Sequence, residues 1–89
     1  MARPRCYDEI YKIVDKYDPV GISWASSDEY QPEVIEIANR AFVLTEKELA
    51  DYIYEVFKFW FPESIVPHPE HTDIYKKMAK EIKLLFPEE

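Results

Sequence analysis

Between Cys6 and Tyr17 the apolar side chains Cys6, Ile10, Ile13, Val14 and Tyr17 recur at steps of four, three, one and three. That spacing places them along one side of a helix of 3.6 residues per turn. Asp8, Glu9, Lys12, Asp15 and Lys16 fill the opposite side, the two leading carboxylates in the first turn where the helix dipole favours negative charge. Pro19 biases Asp18 away from the α region, so this helix is expected to stop near Tyr17. A second helical stripe comprises Val34, Ile35, Ile37, Ala38, Ala41 and Phe42, with Pro32 in the first turn, where no backbone donor is needed. Thr45-Glu46-Lys47-Glu48 has the form of a capping box, in which the threonine hydroxyl and the fourth residue's carboxylate each take an N–H left over at a helix start. The third helix runs from there through Leu49, Ile53, Val56, Phe57 and Trp60 to Phe61, and Pro62 ends it. Tyr52, Tyr54, Phe59 and Phe61 widen its apolar surface beyond one stripe, which predicts the central helix of the fold. Pro62, Pro67 and Pro69 keep residues 62–71 irregular. His71 or Thr72 then caps a fourth helix whose buried side is Ile74, Tyr75, Met78, Ala79, Ile82, Leu85 and Phe86, and Pro87 stops it.

No segment alternates long enough to build a sheet. The pattern predicts an all-α fold, a compact bundle of about four helices with a long ordered loop between the first and second. In that loop Asp18-Pro19-Val20-Gly21 matches a type I turn position by position, which accounts for Gly21, the one glycine in the chain. A phosphate cradle would need several glycines and a helix start directly after them. Val20, Ile22 and Trp24 alternate with small or polar residues and are expected to lie extended across the core. At 89 residues the chain, 1–89, is read as a single domain. A core this small needs dense side chains, and seven Tyr, five Phe and two Trp supply them.

Charge divides the chain unevenly. Residues 18–75 carry twelve acidic and three basic side chains, while the flanking segments are near neutral, so this middle region accounts for the net −7. From Asp18 to Asn39 there is no basic residue. Asp28, Glu29, Glu33 and Glu36 gather at the start of the second helix, the last three at i, i+4, i+7. Such a face is either a solvated surface or a docking face for a basic protein, whose approach it would accelerate. Its sign opposes direct contact with a nucleic-acid backbone. Lys76, Lys77, Lys80 and Lys83 form the one basic patch and are expected to decorate the exposed side of the last helix. Trp24 and Tyr30 flank the acidic cluster and could anchor an interface, or pack into the core and against the helix start.

Catalytic and metal chemistry have thin support in the residues. His68 and His71, with Glu70 between them and Asp73 after, are the nearest approach to a metal set, but zinc takes three or four ligands in fixed geometry, and an H-x-x-H pair in a proline-broken loop is not the i, i+4 pair a helix presents. Cys6 at the head of an apolar stripe reads as a small core residue. The expectation is therefore a non-enzymatic acidic interaction module without a cofactor, with Trp24, Asp28, Glu29, Tyr30, Glu33 and Glu36 as its contact residues. By analogy of size and charge, one form of such a module is an inhibitor, or an immunity-like partner of a basic protein. The alternative is a small metal-dependent protein or enzyme centred on His68, Glu70 and His71. Short interrupted apolar runs, no leader-like start and a single cysteine suggest the cytoplasm and no membrane span.

A first helix ending in "YDPVGI", an acidic "DEYQPE" leading into the second and "ELADYIYEVFKFWF" in the third together resemble a family of small bacterial proteins, domain of unknown function 1871. The likeness covers roughly residues 7 to 62 and rests on Asp18, Pro19, Gly21, Asp28, Glu29, Tyr30, Glu33, Ile53 and Phe57. It implies a compact helical cytoplasmic protein and supplies no catalytic residue.

Overall fold

The computed structural model describes residues 6–18 and 31–86. The long loop between the first two helices, with its expected turn at Gly21 and its extended segment at Trp24, lies outside them. The described chain forms α1 (Tyr7–Tyr17), α2 (Gln31–Ala41), α3 (Glu46–Trp60), a single 3-10 turn at Glu63–Ile65 and α4 (Ile74–Lys83), with no strand among the described residues. It is an all-α bundle.

Each helix turns its predicted stripe inward. Ile10 and Val14 of α1, Val34, Ile37 and Ala41 of α2, Leu49, Ile53 and Phe57 of α3, and Met78, Ala79 and Ile82 of α4 are fully enclosed. Full burial of one of the larger of these side chains, from valine to phenylalanine, contributes about 1.5–3 kcal/mol. The principal helix contacts run α1–α2–α3–α4 and back to α1. Within this closed cycle α3, the longest helix, makes the two most extensive interhelix packings, with α2 and with α4, and keeps one solvent face. Phe59 shows the consequence, since it lies on that face and not in the core.

The helix ends follow local chemistry. At α3 the capping box is complete: Thr45 Oγ1 accepts the Glu48 N–H at 3.1 Å and Glu48 Oε1 accepts the Thr45 N–H at 3.0 Å. Phe61 leaves the helix in extended geometry just before Pro62, its N–H on the Phe57 carbonyl at 2.9 Å. α1 stops where expected, but Asp18 takes the left-handed region, with φ 47°. Its N–H still reaches the Val14 carbonyl at 2.8 Å. Asp is one of the few side chains that tolerates this geometry. α4 departs from expectation, because Asp73 stands at the cap position without a side-chain cap bond, while Thr72 Oγ1 accepts the Ile74 N–H at 3.2 Å. α2 ends at Ala41, which puts Phe42 in the following turn and outside the stripe assigned to it. Ile35 is likewise exposed.

Two polar contacts close the ring. Lys16 Nζ lies 2.7 Å from Glu81 Oε1, and the Tyr17 hydroxyl donates to Glu81 Oε2, so α1 is tied to α4 across the chain. Lys83 does more than decorate a surface, since its Nζ donates to the Ala41 carbonyl at 3.0 Å and fills a vacancy at the C-terminus of α2. In the segment between α3 and α4, Val66 is buried and the Tyr75 hydroxyl donates to the Pro67 carbonyl at 2.6 Å. Burial pushes the Tyr75 phenol up to about 12, with Tyr54 adding to it.

Thr45→Ala should lower stability by about 0.5–2 kcal/mol, read from urea unfolding midpoints. A second expectation concerns acid. The hydrogen bond from Lys16, then that from Tyr17, hold the Glu81 carboxyl below its ordinary 4.5, against the opposing effect of burial. A depressed folded pKa contributes stability that is complete above the unfolded value and is lost as pH falls through the folded one. Wild type should therefore lose stability below pH 4.5, and Glu81→Gln should flatten that part of the profile in unfolding curves taken across pH.

Candidate interaction surface

Where α2 packs on α3, side chains from the two helices meet along an exposed seam. Trp60 Nε1 donates to Glu36 Oε2 at 2.5 Å, and one turn further along α2 the Arg40 guanidinium lies 5.9 Å from the centroid of the Tyr52 ring. Rising numbers on α2 thus meet falling numbers on α3, so the two helices are antiparallel. Along α3 the residues Glu48, Tyr52, Glu55 and Phe59 follow one another at steps of four, three and four. That spacing lines them up beside the seam. Phe59 is 78% exposed and sits edge-to-face on Trp60, ring centroids 5.4 Å apart.

The acidic residues expected to form one face do not share one environment. Glu33 is 2% exposed, the one charged residue in the core among those described. A carboxylate this buried presents nothing to a docking protein, because its position on α2 is turned inward with Val34 and Ile37. Glu36 lies at the surface and is engaged by Trp60. Trp24, Asp28, Glu29 and Tyr30 fall outside the described residues. Phe59 and Trp60 were missed as surface residues because their apolar character suggested core. The signal that separates Phe59 from Phe57 was its alignment with Glu48 and Glu55 on the same side of the helix.

The histidine segment is arranged differently from a metal site. His68 Nδ1 accepts the backbone N–H of Glu70 at 3.1 Å, and its ring packs edge-to-face on Tyr54 at 5.7 Å. Both His68 and His71 are exposed. Among the described residues no three His, Cys, Asp or Glu side chains are grouped to hold a metal ion. Cys6 is half-buried against the core.

Depressions on the surface are lined by described residues. One of about 520 Å³ lies between the α2–α3 turn and the end of α4, and one of about 350 Å³ between α3 and Lys76 of α4. Lys16, Tyr17, Tyr75 and Glu81, whose protonation the fold shifts, line neither depression. Among the described residues no helix is long and apolar enough to cross a membrane. No family model, curated protein or solved structure matches the chain.

The two glutamates separate in a thermal melt. Glu33→Ala removes an enclosed side chain and should cost about 1–3 kcal/mol, whereas Glu36→Ala at the surface should cost under about 1 kcal/mol.

Proposed function

We propose that the chain is a non-enzymatic protein-interaction module of the cytoplasm that docks a basic protein on the α2–α3 seam. The observation that supports this most directly is the ring of Phe59, 78% exposed beside Glu55 on its own helix and set edge-to-face against the tryptophan that holds Glu36. An exposed aromatic anchor with carboxylates around it matches the anatomy of an interface, where aromatic residues supply affinity and charge supplies encounter rate and choice of partner. Asp28 and Glu29, which precede α2 in sequence, extend the same charge. With twelve acidic and three basic side chains in residues 18–75, the field favours a cationic partner and raises its association rate by 10–10³-fold. An inhibitor or immunity-like role toward a basic protein is one form of this activity. The resemblance to the bacterial family named above belongs to the same proposal, since it too implies a helical module without catalytic residues.

The test separates charge from anchor. Combining Asp28→Asn, Glu29→Gln and Glu36→Gln should leave the fold intact and slow partner association roughly tenfold or more at low salt. Phe59→Ala should act mainly on dissociation. Partners would be captured from the native host, identified, and measured by stopped-flow mixing at two ionic strengths. Equal capture and equal kinetics for wild type and variants would reduce the carboxylates to solvation and Phe59 to an ordinary exposed ring.

A further inference from the structure

At the end of the bundle away from Phe59 and Trp60, three large apolar side chains face solvent together. Phe42 is 60%, Val43 66% and Leu84 73% exposed, and all three line the groove of about 520 Å³. Phe42 and Phe86 meet edge-to-face across it, with centroids 6.3 Å apart. Scattered apolar residues on a surface are ordinary, but a gathered patch in a concave site marks a contact surface.

The two walls of the groove differ in charge. One is the α2–α3 turn, with Phe42, Val43 and, at its edge, Glu46; the other is the end of α4, with Lys80, Leu84 and Phe86. Glu46 and Lys80 are both exposed and form no ion pair with each other. Lys83, also on the second wall, is held by the Ala41 carbonyl and keeps the two walls at a fixed distance. A purely anionic amphiphile would meet Glu46 here, and a purely cationic one would meet Lys80. The groove suits an occupant that presents an apolar ridge with both charges in the reverse order.

We propose that this occupant is a second copy of the chain, and that the protein pairs through the groove as a two-fold symmetric dimer. A two-fold axis running along the groove sets each residue of one wall against the opposite wall of the partner, and by symmetry the contact of residue i with residue j is repeated as j with i. Phe42 and Val43 of one copy then cover Leu84 of the other, and Glu46 faces Lys80 twice. The dimer leaves the α2–α3 seam open at the far end of each copy, so it stands or falls independently of the basic-partner reading.

Sedimentation velocity on the full chain at ~0.15 M salt tests it, since a Debye length of ~8 Å there screens the repulsion between two acidic molecules. Wild type should shift from monomer to dimer with rising concentration below ~1 mM. Leu84→Glu, at a position exposed enough to leave the fold unchanged by circular dichroism, should remain monomeric. Glu46→Lys and Lys80→Glu should each weaken the dimer roughly tenfold when alone. Mixed in equal amounts they should form a heterodimer, because each then offers the charge that the other lacks, which no intrachain role for these residues would produce. Wild type that stays monomeric throughout, a dimer indifferent to Leu84→Glu, or single variants that fail to pair on mixing would each overturn the proposal.

Discussion

No helix in this chain can stand on its own. α1, α2 and α4 are eleven, eleven and ten residues long and α3 fifteen, at or below the length at which an isolated helix is marginal in water. Each therefore depends on its neighbours for its stability, and the shared interior makes the helices persist. The closed cycle of contacts follows from that dependence. Two helices packed as a pair would leave one side of each apolar stripe wet, whereas four arranged in a ring enclose Ile10, Ile37, Ile53 and Ile82 together. The cycle also decides where function can reside. With every helix giving one face to the interior, the available surfaces are the seams between neighbours and the ends of the bundle.

How much of this was legible in the sequence depended on how local the cause was. The capping box at Thr45 is written in four consecutive residues and forms as read, because both of its bonds join residues three apart. The stop of α1 was legible in position but not in geometry: the proline argument moved Asp18 out of the right-handed region without saying that it would enter the left-handed one. Periodicity found the stripes of all four helices, yet it counts apolar residues without saying which of two adjacent faces is covered. Phe42, Ile35 and Phe59 were misplaced for that reason. Whether a seam is filled depends on a helix remote in sequence, and no local pattern carries that information.

The charge was legible as a sum and misleading as a surface. Counting placed Glu33 with Glu36 on a shared acidic face, while the fold buries one and ties the other to a tryptophan twenty-four positions away. A carboxylate on the inward side of a helix is rare enough that residue type argues against it. Its spacing beside Val34 and Ile37 argues for it, and the spacing prevailed. Lys83 teaches the same lesson with opposite sign, since a residue read as solvated decoration completes the backbone hydrogen bonding of another helix.

The pairing of Lys16 and Tyr17 with Glu81 joins positions 65 and 64 residues apart, while α2 passes into α3 over residues 42–45 alone. Bringing distant segments together costs chain entropy that neighbouring segments do not incur. Within the ring the contact between α2 and α3 therefore carries the smallest loop-closure cost and that between α1 and α4 the largest. The same asymmetry runs in reverse on the native side. α1 contributes three of the buried side chains and is held to α4 by contacts at the surface. It is the segment that can lift away while the rest stays packed, a partial opening that native-state hydrogen exchange would see as amides of α1 exchanging ahead of those in α3.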